Sequence, residues 1–285
     1  MSTITSTSKA GLDRKKVHVA EGTKVIFVTG GSRGLGKAFC ERFAGEGHHV
    51  IGTSRDPLFK PKGWELITLD VREDDSVQAA VDRVIATYGR IDVLVNNAGV
   101  GIQGAAEDID MEMAMDAFQT NFFGLHRMCR AVLPHMREKG RGLIINISSI
   151  VANYGMPFRA FYSASKAAVD RYSETLRMEV KPLGIDVVVV EPGGYKTGIA
   201  QHRIRPTQIS DAYGAGYNRS MAMLDHDTVY CKEPEECALH LSRIVASSSP
   251  ATIYRPAQPM AKLSGLMKRF LPERLFETML WKHYG

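Results

Sequence analysis

Two kinds of stretch alternate along most of this chain. Short apolar, β-branched runs occur in KVIFVT (24–29), HHVIGTS (48–54), WELITLD (64–70), IDVLVN (91–96), GLIINIS (142–148) and GIDVVVVEP (184–192). Longer stretches with apolar residues at helical spacing separate them. LGKAFCERFAGEG (35–47) and DDSVQAAVDRVIATYG (74–89) each end on glycine, a helix stop signal. A long helical region covers about 108–139, with Pro134 and Gly140 near its end, and AFYSASKAAVDRYSETLRMEV (160–180) is also helical. ATIYR (251–255) is a candidate seventh strand. Runs of Val and Ile that are continuous, rather than alternating with polar residues, predict strands buried on both faces. Their alternation with helices predicts right-handed crossovers. The expected fold class is α/β: a doubly wound parallel sheet, Rossmann-like, in three αβα layers. No linker rich in proline and glycine divides the chain, so residues 23–285 read as a single domain. The polar tail 1–22, rich in Ser, Thr and Lys, is expected to be disordered. Residues 193–232 lack clear periodicity and read as a long substrate loop.

Composition changes this picture little. The chain has 285 residues, 44% hydrophobic and 24% charged, which allows a sizeable core. Its net charge of +5 is scattered and reads as a solvated basic surface, not a nucleic-acid face. Cys40, Cys129, Cys231 and Cys237 form no C-x-x-C pair and gather no histidine cluster. Free thiols in a reducing, cytoplasmic setting are expected, with no metal site. No apolar run approaches the length of a membrane span, and the N-terminus lacks an apolar signal core.

The first chemical signal is TGGSRGLG (29–36), between the first strand and the first helix. Gly30, Gly34 and Gly36 permit a tight turn and close backbone approach to a pyrophosphate, which then meets the free N–H groups of a helix N-terminus. A glycine-rich turn alone is a weak signal; its strand–turn–helix setting raises it. Folds that select NAD carry an acid at the end of the second strand. Here that end reads GTSRDP, with Ser54 near the acid's position, Arg55 next, and Arg33 inside the glycine turn. Two arginines suit a 2′-phosphate through charge-assisted bonds, so NADP(H) is expected over NAD(H). The alternative is that one or both are merely solvated.

Taken in order, the motifs resemble those of the short-chain dehydrogenase/reductase family, in its single-domain branch. The resemblance spans about residues 24–200. It rests on TGGSRGLG, LDV (69–71), NNAG (96–99), Asn121 in TNFFG, ISS (147–149), YSASK (162–166) and PGGYKTG (192–198). Any one could arise by chance; the ordered set is specific. A looser likeness to hydroxysteroid and retinol dehydrogenases lies in NAGVGIQGAAED and the apolar run after Ser149. The resemblance implies a cofactor site of Gly30, Ser32, Arg33, Gly34, Leu35, Gly36, Ser54, Arg55, Asp70, Val71, Asn97, Ala98, Gly99, Tyr162, Lys166, Pro192, Gly193 and Thr197. It also implies a homodimer or homotetramer.

Hydride exchange between an alcohol and a nicotinamide leaves a proton to be moved at the substrate oxygen. A phenol is reluctant at neutral pH, and a nearby ammonium favours its ionised form. Tyr162 and Lys166 are four apart and share a helix face. Tyr162 is therefore expected as general acid/base, with Lys166 as its electrostatic partner. The resemblance adds that Lys166 also holds the nicotinamide ribose, that Ser149 orients the substrate oxygen, and that Asn121 holds a water relaying protons to Lys166. Ser163, Ala164 and Ser165 read as helix filler.

On the substrate side, Val100, Gly101, Val151, Tyr154, Met156, Phe158, Phe161 and Tyr195 are candidates for an apolar cleft. Val151 and Phe161 serve equally well as core. Tyr213, Tyr217, Met221 and Met223 suit a pliable lid. The expected substrate is a bulky apolar ketone or secondary alcohol, steroid-, retinoid- or polyketide-like. The segment 261–285 mixes apolar and basic residues, with Pro272 interrupting it. It fits packing on the body or a partner subunit, or else membrane contact. Two other functions compete: a nucleotide-sensing or scaffold protein of the same fold without turnover, and a nucleotide-sugar epimerase or dehydratase. The first would lack Tyr162, Lys166 or Ser149; the second has a different glycine spacing and a longer C-terminal region.

Overall fold

The computed structural model describes residues 17–199, 202–228 and 231–284. Seven strands form one sheet: β1 (Val25–Val28), β2 (His49–Ser54), β3 (Glu65–Thr68), β4 (Val93–Asn96), β5 (Gly142–Ile147), β6 (Ile185–Val190) and β7 (Ile253–Tyr254). They lie in the order β3-β2-β1-β4-β5-β6-β7, every pair parallel. Strand order therefore reverses between β1 and β4. There the crossovers from the two strands pass to opposite faces of the sheet, which places a crevice at the strands' carboxyl ends.

The continuous apolar runs have the consequence expected of them. Val25 and Phe27 of β1 enter one core with Val77, Val81, Met128, Val132, Val169 and Leu176, from α2 (Asp74–Tyr88), α4 (Gly124–Lys139) and α5 (Ala160–Val180). Ile26 and Val28 enter the other with Phe39, Phe43, Leu241 and Val245, from α1 (Gly34–Gly45) and α7 (Pro234–Ala246). Helices thus cover both sheet faces in three layers. Burial of each such side chain contributes about 1.5–3 kcal/mol.

The structure departs from the expected elements in three places and follows them in a fourth. The long region at 108–139 is two helices, α3 (Met111–Phe118) and α4, joined by one wide turn, Gln119–Phe123. The expected loop at 193–232 contains α6 (Asp211–Thr228). Gly214 and Gly216 and the mixed polarity of DAYGAGYNRS hide its helical period. The C-terminal segment is α8 (Pro259–Phe270) and α9 (Glu273–Tyr284), broken at Pro272 as anticipated. Most of the tail expected at 1–22 lies outside the described residues, but Val17 N donates to Thr87 O at 2.9 Å and Val19 packs on the core, so its end is docked. Among the described residues, no helix is long and apolar enough to cross a membrane.

Candidate active site

The glycine turn at the end of β1 is held by backbone contacts. Gly30 has a φ of 66°, a left-handed conformation that favours glycine. A Cβ on Gly36 would lie 2.1 Å from the Gly30 carbonyl oxygen, so no side chain fits where the turn meets α1. Thr29 Oγ1 accepts from the backbone N–H groups of Asn97 (2.9 Å) and Ala98 (3.0 Å). Asn97 Nδ2 donates back to the carbonyls of Thr29 (3.0 Å) and Gly30 (3.1 Å). The segments that leave β1 and β4 are thereby locked together. Gly34 lies against the side chain of Thr197, bringing the segment after β6 onto the same turn. Among the described residues, this is a cradle of backbone N–H groups at a helix N-terminus, open to no bulky side chain. Its shape and chemistry fit a dinucleotide pyrophosphate.

The flanking candidates divide. Arg33 and Arg55 are exposed, which fits a phosphate contact and a solvated arginine alike. Ser54 Oγ donates to the Asp56 carbonyl (2.9 Å) and so shapes the turn after β2. The Asp70 carboxylate is gripped by Arg72 Nε and Nη2, the latter at 2.8 Å, and Arg72 reaches on to Asp116 at 2.8 Å. The Arg72 contact holds Asp70 below the usual carboxylate range, with a smaller contribution from Arg55. Asp70 Oδ2 therefore already has a charged partner. Val71 is buried against Gly124, and Leu35 packs into the core on the α1 side. Pro192 O accepts from Ile150 N, and Gly193 has Gln258 and Ala257 against it.

The wide turn between α3 and α4 carries Asn121 inward, to 1% exposure. Wide turns within helices recur at functional sites. Asn121 Oδ1 accepts from Val100 N (2.8 Å), and Nδ2 donates to Val100 O (3.0 Å) and Ser165 Oγ (3.1 Å). Ser165 Oγ donates in turn to Tyr162 O (2.8 Å). Ser165 is therefore not helix filler: it ties Asn121 to the first turn of α5. Nothing in the pentapeptide signals this; only the inward turn at Asn121 explains it. Ser163, by contrast, is buried with its hydroxyl unbonded.

Lys166 is 5% exposed, and its Nζ donates to Ile147 O (2.9 Å) at the end of β5. A Cβ on Gly99 would lie 3.2 Å from Asn121 Oδ1 and 3.6 Å from Lys166 Nζ, so both groups converge on that glycine. Ser149 begins the short turn Ile150–Ala152, and its Oγ accepts from Val151 N at 3.4 Å. Ser148 Oγ instead donates to the Lys166 carbonyl, which leaves Ser149 as the serine free to turn toward a ligand. Tyr162 packs against Ile102 and Ile109, with the Arg159 guanidinium 6.0 Å from its ring centroid.

The substrate candidates also separate. Val100 and Phe161 pack with Tyr162 in a small cluster at the crevice wall. Gly101 lies under the Arg203 side chain, where a Cβ would meet Cγ at 2.7 Å. Phe158 stacks edge-on against Tyr217 of α6 at 5.6 Å, and Met156 lines a groove beside Trp281. Three of the candidates are buried. Val151 is buried core. Tyr154 is covered by Phe276 of α9, 5.6 Å between centroids. Tyr195 turns into the core on the α1 side and donates to Pro256 O (2.8 Å). Sequence reasoning missed Gln103 and Ile204: residues 101–104 and 203–206 run side by side, bridged at Ile102 and Ile204. The pairing joins segments a hundred residues apart and leaves no local signature.

A parallel sheet with a phosphate cradle at its switch point, and a tyrosine–lysine helix beside it, defines a dinucleotide-dependent α/β oxidoreductase. The chain belongs to the short-chain dehydrogenase family, whose model matches residues 24–208. It is similar to the 3-ketodihydrosphingosine reductase of Bacteroides thetaiotaomicron, 38% identical over 92% of this chain and 98% of that one. It is also similar to the NADPH-dependent 1-acyldihydroxyacetone phosphate reductase of Schizosaccharomyces pombe, 37% identical over 63% of this chain and 62% of that one. Among solved structures, a short-chain dehydrogenase from Streptomyces avermitilis superposes with a TM-score of 0.80 at 32% identity, covering 93% of this chain and 97% of the other.

Proposed function

We propose that the protein is an NADP(H)-dependent reductase of a bulky, largely apolar ketone, running in reverse on the secondary alcohol. The carrying observation is the joint hydrogen-bonded frame under α5, in which Asn121 and Ser165 brace the turn bearing Tyr162 and Lys166 is buried one turn on. When bound, the nicotinamide supplies the hydride. Tyr162 donates the proton to the carbonyl oxygen, and Lys166 stabilises the phenolate left behind. Ser149 hydrogen-bonds the same oxygen as charge develops on it. Arg33 and Arg55 select the 2′-phosphate. Supporting this choice, the fission-yeast relative is NADPH-dependent by name. Both named relatives act on ketones with long or acylated chains, in keeping with the groove lined by Met156, Leu280 and Trp281. Those names favour an acyl-chain ketone over a steroid or retinoid.

The test is a panel of ketones followed at the NADPH absorbance band, with Tyr162→Phe as control. Long-chain ketones should turn over and small polar carbonyls should not; activity confined to small polar carbonyls would refute the substrate class. Arg55→Asp should lower the NADPH/NADH ratio of kcat/KM about tenfold or more, the loss of one charge-assisted contact. An unchanged ratio would refute the cofactor assignment.

A further inference from the structure

Several half-buried arginines among the described residues have carboxylates: Arg72 has Asp70 and Asp116, Arg90 has Asp92, and Arg127 has Asp74. Arg159 does not. It is partly buried, and its guanidinium meets no carboxylate or hydrogen-bond acceptor among the described residues. Its surroundings are the Tyr162 ring and the neighbouring Tyr154 and Tyr284. Burial disfavours its charge, and the phenols compensate only weakly. An uncompensated cation in such a place is costly, and an anion that enters and pairs with it recovers that cost.

Three features hold Arg159 where it is. Phe158, just before it, has a φ of 60°, the left-handed region that a bulky residue avoids. The Phe158 carbonyl accepts from Gly104 N (3.0 Å) and its ring stacks on Tyr217, so the strained turn is fixed from two sides. Arg159 is also the N-cap of α5, a 21-residue helix that no side chain caps, so the positive end of the helix lies beside the guanidinium. On the facing segment, Gln103 is 1% exposed and its Nε2 has no partner, while its Oε1 accepts from Arg203 Nη1 (2.9 Å). A guanidinium and a helix N-terminus therefore lie beside Tyr162, and a buried, unused amide donor sits one residue from the backbone bond that joins Gly104 to Phe158.

We infer that Arg159 holds an oxyanion, a phosphate or carboxylate carried by the ketone a few bonds from its reacting carbonyl. This rests on Tyr162 as the proton donor and deepens that reading by naming the substrate's head group. A fork of N–H donors suits both oxyanions, and it repels an ammonium at the same position. The site thus discriminates between the two kinds of head group carried by the named relatives' substrates, phosphate and amine.

The experiment compares kcat/KM for 1-acyldihydroxyacetone phosphate, its dephosphorylated form, a keto acid of matched chain length and 3-ketodihydrosphingosine. The native enzyme should favour the anionic ketones over the neutral one by about tenfold or more, as expected of a charge-assisted pair. Whether phosphate or carboxylate leads tells the two sources apart. Arg159→Met should lose most of that margin, and Arg159→Lys should keep part of it. A margin unchanged in Arg159→Met, or a native preference for the amine, overturns the inference. Calorimetry of 1-acylglycerol 3-phosphate against 1-monoacylglycerol, on NADPH-saturated protein, where the alcohol meets no hydride acceptor, reads the same margin without turnover. A margin in binding with no ketone reduced would overturn the reductase reading and uphold the anion site. Turnover with no margin in either measurement would overturn the anion site alone.

Discussion

The two walls of the crevice are built differently. On the cofactor wall, backbone meets backbone: Thr29, Gly30, Gly36, Asn97 and Ala98 interlock through hydrogen bonds and glycine-only contacts. On the substrate wall, α6 and α9 are held mainly by aromatic faces, Phe158 on Tyr217 and Tyr154 under Phe276. That wall also leaves Trp281 of α9 55% exposed. The first wall fixes a ligand shared by many enzymes. The second rests on side-chain faces, which can repack where interlocked backbone cannot.

The contrast is broken most sharply on the cofactor wall. Gly36→Ala places a methyl group 2.1 Å from a backbone oxygen that cannot move aside. It should cost about 3 kcal/mol of stability, the upper range for overpacking, and weaken NADPH binding about tenfold or more; denaturant titration and cofactor fluorescence read the two. Next, Asn121→Ala strips partners from Val100 and Ser165. A loss of about 2 kcal/mol is expected, with kcat falling more than KM rises, in steady-state kinetics and urea unfolding.

A smaller effect tests α5, which carries Tyr162 and Lys166. Asp170 is raised to about 6, chiefly by burial, and one of its oxygens has no hydrogen-bond partner. As pH rises from about 4 to 6, the unfolded chain ionises this group while the native chain keeps its proton, so stability is lost across that window. Asp170→Asn should therefore gain about 1 kcal/mol at pH 8, and nothing at pH 3.5, in thermal melts. On the substrate wall, Trp281→Ala should raise KM for long-chain ketones only about threefold and change stability by about 0.5 kcal/mol or less. A large loss of kcat there would erase the contrast.

This division also explains what could be read from sequence. Backbone-determined features must be written as particular residues: only glycine fits at Gly30 and Gly36, and an apolar run such as VIFV has one reasonable home in a parallel sheet. The strands, the crossovers and the glycine turn were legible for that reason. Features made by side chains from distant segments were not. Ser165 gains its role only because the turn at Asn121 brings a carboxamide to it, and Tyr195 looks like a cleft residue until Cys237 and Pro256 claim it. The helix α6 was missed because its glycines and scattered polarity give no period.

The central claim is that Tyr162 moves the proton on a cofactor-binding frame that does not depend on it. The direct measurement is Tyr162→Phe, assayed for NADPH binding and for ketone turnover in the same preparation. Binding should stay within about threefold of the native value, while kcat falls by about 10²–10⁴, the range for loss of a general acid. Turnover within about tenfold of native, with the cofactor still bound, would contradict the account and move the proton donor to another group.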